Sequence, residues 1–136
     1  MKFKKLNKKV KTPSIAYKDD AGIDVYSPEY AVLIPRKQRQ IKLGIAIELK
    51  KDEVAIMSER SGMAISHGIT SIGNIIDAGY RGEISIILTT KRLYRINEGD
   101  KIGQIIICKL GDRKLEEVNK LSKSERDSKA HNSSGK

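Results

Sequence analysis

Apolar residues fall at every second position through residues 41–49, "IKLGIAIEL", the period of a strand that turns one face to a core. Residues 31–34, 54–57, 84–88 and 102–110 are further short runs rich in Ile and Val, separated by Gly, Pro, Asn or charged residues. Several short strands between residues 31 and 110 predict an all-β domain, a sandwich or barrel. "SGMAISHGI", residues 61–69, interrupts them, and its Met63 and Ala64 suit a short helical turn. After Leu110 the pattern decays into "GDRKLEEVNKLSKSERDSKAHNSSGK", whose thin apolar content predicts a mobile end. The expected organisation is one β domain over residues 1–110 and a flexible C-terminal arm over residues 111–136.

A chain of 136 residues suits one compact domain rather than two. No apolar run approaches the roughly 20 residues that span a bilayer, and "MKFKKLNKKVK" lacks the apolar block of a signal peptide. A location in the cytoplasm is expected, or in the nucleus for a eukaryotic or viral source, with no membrane partner. The single Cys108 lies in "IGQIIICKL" and reads as a small buried core residue. The formal charge of +10, with Lys2, Lys4, Lys5, Lys8, Lys9 and Lys11 crowding the N-terminus, raises the question of nucleic acid. One Phe, no Trp and no zinc, helix-turn-helix or RNA-recognition signature argue against direct nucleic-acid binding. Basicity then serves solubility or draws in a small polyanion.

Five segments carry candidate chemistry. In "GNIIDAGYRGEIS", residues 73–85, one carboxylate, one tyrosine and three glycines interrupt an Ile-rich stretch. Asp77 is either a turn residue or a catalytic acid, and Tyr80 either packs at a hairpin corner or meets a ligand. Glycines at 73, 79 and 82 permit positive φ or close backbone approach, which fits a tight hairpin and equally one that wraps a flat ligand. In "ERSGMA", residues 59–64, the Arg60 charge, the Ser61 hydroxyl and free backbone N–H groups suit an anion such as phosphate, while Ser61 alone fits a plain helix cap. "AGIDVYSP", residues 21–28, sets Asp24 in a strand-like stretch. In "EGDKIGQIII", residues 98–107, Gln104 interrupts a run built for burial, so its amide either satisfies neighbouring backbone or faces a site. The tail holds Arg126, His131, Ser133, Ser134 and Gly135. His67, with no Cys or second His at ligand spacing, reads as a loop or interface residue.

The order and spacing of "AGIDVYS", "RSGMA", "IIDAGYRGE" and "GDKIGQ", with the tail, resembles the homotrimeric deoxyuridine triphosphatase (dUTPase) family from about residue 21 to residue 135. The resemblance implies a distorted jelly-roll-like β fold, three identical subunits with shared sites, and Mg²⁺-dependent hydrolysis of dUTP to dUMP and pyrophosphate. It makes residues 73–85 a β-hairpin that reads uracil with main-chain groups, bordered by Asn74 and Ile76. Tyr80 then lies against the sugar where a 2′-hydroxyl has no room, and Asp77 holds the 3′-hydroxyl and activates the attacking water. Arg60, Ser61, Gly62 and Gln104 are implied to hold phosphates, with Asp24 reaching Mg²⁺ through coordinated water.

Departures concentrate in the tail, where Arg126, Ser133 and Ser134 keep the family's substrate-binding pattern. His131 stands where Phe is common and offers a smaller stacking face to uracil, and Asp127, Lys129 and Ala130 occupy positions often held by Gly. A looser closure, a higher KM, or both are expected. Glu59 replaces a frequent Pro. The nearest rival is dCTP deaminase on the same fold, disfavoured by the match of Asp77 to the water-activating position. A nucleotide-binding regulatory protein on this scaffold is the alternative from another class.

Overall fold

The computed structural model describes residues 1–124; Arg126, His131, Ser133, Ser134 and Gly135 lie outside the described residues. Eleven strands and one helix follow one another among these residues. They are β1 (Lys2–Lys5), β2 (Gly22–Tyr26), β3 (Ala31–Leu33), β4 (Arg39–Lys42), β5 (Ile45–Glu48), β6 (Glu53–Ser58), α1 (Ser61–His67), β7 (Thr70–Ile72), β8 (Ile75–Asp77), β9 (Ser85–Thr89), β10 (Tyr94–Ile96) and β11 (Lys101–Lys109). A four-stranded sheet runs β2-β11-β6-β8 and a three-stranded sheet β4-β9-β7, with the pairs β1-β5 and β3-β10 beside them. All the pairings are antiparallel, as expected of an all-β domain. Alternation sets the faces: in β6 Glu53, Ala55 and Met57 are buried while Val54, Ile56 and Ser58 are half-buried. Leu33, Ile41, Met57, Ile86, Leu88, Ile96 and Ile105 are among the fully enclosed core side chains, and burying each contributes about 1.5–3 kcal/mol.

The alternating stretch at residues 41–49 is two strands rather than one. Ile41, Leu43, Ile45, Ile47 and Leu49 are all buried, yet β4 pairs with β9 and β5 with β1. The switch falls at Gly44, whose φ is +65°, a left-handed value open to glycine at little cost. Burial periodicity survives the change of partner, which is why the pattern alone reads as one strand. The lysine-rich N-terminus also differs from expectation: Lys2–Lys5 form β1, in register from Lys2 opposite Glu48 to Lys5 opposite Ile45. Cys108 is half-buried rather than enclosed, on the β11 face opposite Ile105. The helix at Ser61–His67 occupies the anticipated interruption and ends at Gly68 in a left-handed cap. His67, the last residue of the helix, packs at a tilt of 46° against Tyr94, with ring centroids 4.5 Å apart. Residues 110–124 have no regular strand or helix, and Leu115 is almost fully exposed.

Candidate active site

Two separate cavities gather the predicted residues. The first, about 450 Å³, is lined by Asp24, Arg60, Ser61, Gly62 and Gln104, together with Tyr17, Asp20 and Gly22. Three motifs far apart in sequence meet here because β11 pairs with both β2 and β6: Gln104 lies opposite Asp24 on one side and Ser58 on the other. Asp24 is buried, with 6% exposure, and a buried carboxylate requires charged partners. Lys101 Nζ lies 2.6 Å from its Oδ2 and Arg60 Nε 3.3 Å from its Oδ1. The Asp24 hydrogen bond, the largest cause, holds the Lys101 ammonium above its ordinary pKa, so the cluster keeps a net positive charge at neutral pH. The Gln104 amide does both things its position suggested: Nε2 donates to the Glu59 carbonyl at 3.2 Å, and the side chain faces the cavity. Gly22 makes room for it, since a Cβ there would fall 2.0 Å from Gln104 Oε1.

Ser61 is not a cap. Arg60 occupies the N-cap position without a side-chain cap bond, and Ser61 is the first helical residue. It lines the cavity from the first turn of the helix. No Cβ clash limits Gly62 either, as nothing lies within 4 Å of where one would stand.

The second cavity, about 230 Å³, is lined by Gly73, Ile75, Ile76, Asp77, Tyr80, Glu83, Ile84 and Ser85. Residues 73–85 are not a self-paired hairpin. β8 pairs with β6, while β9 pairs with β4 and β7, so the segment is a bridge between two sheets whose loop closes on itself. Tyr80 N–H donates to the Asp77 carbonyl at 3.0 Å, Tyr80 Oη donates to the Glu83 carbonyl at 3.0 Å, and Arg81 donates to the Ala78 and Tyr80 carbonyls. The three glycines separate into distinct roles: Gly73 has φ +63°, Gly82 lies where a Cβ would meet Tyr80 Oη at 2.4 Å, and Gly79 shows no close approach. Asp77 is exposed and its carboxylate is open to water. Asn74 does not line this cavity; its carbonyl accepts from Met57 N–H at 2.8 Å, and its Oδ1 is a buried acceptor without a partner.

Sequence reasoning passed over Lys101, Tyr17 and Asp20. Lys101 lies within the quoted "GDKIGQ", but its reach to Asp24 follows from its place opposite Tyr26, since diagonal cross-strand neighbours are within reach of long side chains, and that pairing is visible only in the fold. Tyr17 and Asp20 belong to a turn, with Tyr17 N–H donating to Asp20 Oδ2 at 3.0 Å, that no strand period marks.

Among the described residues no cluster of three His, Cys, Asp or Glu side chains could cage a metal. The donor set, with Asp24 as its buried carboxylate, fits a hard cation that keeps most of its waters, as Mg²⁺ does.

The sequence model of a family described as dUTPase matches residues 8–135. The chain is 41% identical over 139 residues to the deoxyuridine 5'-triphosphate nucleotidohydrolase of Clostridioides difficile, covering 99% of this chain and 97% of that one. It is 39% identical to the protein of that name from Clostridium tetani, covering 100% and 97%. Among solved structures, Staphylococcus bacteriophage 80alpha dUTPase with dUPNHPP superposes with a TM-score of 0.90 at 29% identity, over 98% of this chain and 97% of that one. A variant of the dUTPase from phage phi11 of S. aureus, described as coordinating a structural Mg(II) ion, gives a TM-score of 0.82 at 25% identity over 88% and 96%.

Proposed function

Because the chain belongs to the dUTPase family, we propose that it hydrolyses dUTP to dUMP and pyrophosphate, with the phosphates in the Asp24–Arg60–Gln104 cavity and the base in the residue 73–85 cavity. The observation that carries this reading is the division of labour between the two cavities. One offers the Arg60 guanidinium, the Ser61 residue and the Gln104 amide as donors for phosphate oxygens, beside Asp20 and Asp24, carboxylates that suit a phosphate-bound cation. The other is small and bounded by a bridge rich in backbone polar groups beside an exposed carboxylate. Ile76 and Tyr80 wall the base and sugar, and Asn74 supports the bridge through its backbone.

In the reaction Asp77 accepts a proton from water as the water oxygen bonds to the α-phosphorus. The bond from that phosphorus to the oxygen bridging to the β-phosphate breaks, and pyrophosphate departs. Arg60, Ser61 and Gln104 hold the charge that accumulates on the leaving group. Mg²⁺, when bound, would neutralise phosphate charge and polarise the phosphoryl oxygens; Asp24 would hold it through water, with Lys101 and Arg60 fixing that carboxylate in place.

No described residue lines both cavities, which supports a homotrimer whose pockets draw the phosphate cavity and the base cavity from different copies. Residues 111–136 act as the arm over the closed site, with Arg126, His131, Ser133 and Ser134 contributing from it. A cytoplasmic location suits an enzyme of the nucleotide pool, and limiting dUTP while supplying dUMP is its consequence for DNA. The test is a panel of dUTP, dTTP, dCTP and UTP with Mg²⁺. Pyrophosphate release confined to dUTP is expected. Ammonia release from dCTP would instead identify a deaminase, and dUTP binding without turnover a regulatory module.

A further inference from the structure

Glu59 and Ser71 form a reciprocal clasp at the point where the two cavities come closest in the chain's connectivity. The Ser71 hydroxyl donates to Glu59 Oε2 at 2.5 Å and Ser71 N–H donates to the same oxygen at 3.2 Å. In return Glu59 N–H donates to Ser71 Oγ at 3.2 Å. The three bonds tie the end of β6 to the middle of β7 and so close the loop that carries α1. The Glu59 carbonyl adds two more connections, accepting from Ser58 Oγ and from Gln104 Nε2, each at 3.2 Å. One residue therefore touches, through its own atoms, the strand leading to the base bridge and the amide facing the phosphates. The next residue is Arg60.

We propose that Glu59, clasped by Ser71, is a positioning residue for substrate binding: it sets the direction of Arg60 and Ser61 and anchors the Gln104 amide. Arg60 is a half-exposed side chain held by a single ion pair to Asp24, and Arg60 caps the helix without a side-chain bond of its own. Its carbonyl is held from the helix side by Ala64 N–H at 3.0 Å, and the clasp at Glu59 fixes the other end of the same short segment. A free loop at this point would populate orientations in which the guanidinium and the Ser61 hydroxyl no longer converge, and a phosphate would bind only the fraction that does. The carboxylate has a second effect. Bound to Ser71, it is withheld from Arg60; released, it would stand one residue away as an anion competing with phosphate.

The inference rests on the reading of Arg60, Ser61 and Gln104 as phosphate-holding residues. Its test is steady-state dUTP hydrolysis by the full chain with Mg²⁺, comparing Glu59→Ala, Glu59→Gln, Ser71→Ala, the Glu59→Ala/Ser71→Ala double variant and Arg60→Ala, with melting temperatures measured on each. Glu59→Ala and Ser71→Ala are each expected to raise KM about fivefold with kcat changed less than about twofold. The double variant should be no worse than the poorer single, since both remove one clasp. Glu59→Gln keeps an acceptor for the Ser71 N–H and hydroxyl and should recover most of the KM. Unchanged KM in Ser71→Ala and Glu59→Ala, with lowered melting temperature alone, would show a merely structural tie and overturn the proposal. If Glu59→Ala does not fold, Ser71→Ala decides by the same criterion. A KM that is unmoved in Arg60→Ala would instead overturn the phosphate reading itself.

Discussion

The two cavities are built by opposite means. The phosphate cavity draws charged and amide side chains from β2, β11 and the start of α1, and each is fixed by another side chain or by sheet pairing: Asp24 by Lys101 and Arg60, Gln104 by the Glu59 carbonyl. The base cavity takes its shape from one short segment whose loop is held by its own Tyr80 and Arg81 on its own carbonyls. Holding several negative charges needs cations whose positions are set in advance, because reorganisation at the moment of binding would forfeit the electrostatic gain. Distinguishing a flat base needs backbone at close range, and a loop that satisfies its own polar groups can present it without help from distant strands.

The strongest test of this contrast combines Asp77→Asn and Arg60→Ala. Asp77→Asn alone is expected to lower kcat about 10³-fold, the scale of a lost general base, with little change in melting temperature because the side chain is exposed. Arg60→Ala should lose mainly affinity. If the two cavities of one working site come from different copies, mixed assemblies of the two variants regain wild-type pairs at about a quarter of sites when chains exchange freely. Activity in the mixture that stays at the sum of the two separate variants would rule out shared sites.

A smaller effect probes the fixed charges. Lys101→Met keeps the side chain's apolar length but removes the ammonium that lies 2.6 Å from Asp24. The released carboxylate oxygen is then free to take Arg60 away from phosphate, and kcat/KM for dUTP should fall about tenfold. An unaltered kcat/KM would mean that Arg60 alone fixes Asp24.

The corresponding change in the base cavity is Gly82→Ala. Its Cβ would meet Tyr80 Oη at 2.4 Å, so Tyr80 swings aside and gives up its bond to the Glu83 carbonyl. Stability should fall by about 1 kcal/mol, the scale of one lost hydrogen bond. The preference for dUTP over UTP should drop about fivefold, because the ring that crowds a 2′-hydroxyl has left its place. Retained discrimination in Gly82→Ala would assign sugar selection to some other group.

These cases also explain what was legible in the sequence. Strand content followed from the two-residue period, since burial of Ile41, Ile86 and Ile105 obeys it directly. The break at Gly44 was hidden because changing a hydrogen-bonding partner leaves the burial period intact. β1 was hidden for the opposite reason: Lys2, Lys4 and Lys5 advertise solvent, and only the pairing with β5 makes them a strand. In the site, Asp24, Asp77 and Gln104 stood out as polar residues between apolar or glycine neighbours, Arg60 and Ser61 as a cation and a hydroxyl ahead of a helical turn, and Tyr80 as a ring among glycines; the structure brings them to two cavities. The nature of residues 73–85 did not stand out, since a hairpin and a bridge between sheets use the same turn residues. Lys101 and the Glu59–Ser71 clasp depend on which strands lie side by side, and one sequence does not state that.

The smallest expected effect belongs to the tie between the two regions. The Glu59 carboxyl is held below the usual carboxylate range, first by the Ser71 hydroxyl bond; burial opposes this, and backbone N–H groups add smaller lowering effects. A group whose pKa is lowered by folding stabilises the folded state fully above its ordinary value and loses that contribution as pH falls through the depressed one. Glu59 is half-buried and water screens it, so the clasp should add only a few tenths of a kcal/mol at neutral pH. Urea unfolding of wild type and Glu59→Gln at one fixed chain concentration isolates it, because every other carboxyl titrates alike in both. Wild type should be slightly the more stable at neutral pH, and the gap should close as pH falls through the depressed pKa of Glu59. A gap that widens on acidification would mean the carboxylate is strained where it sits, and that Ser71 holds it at a cost to the fold.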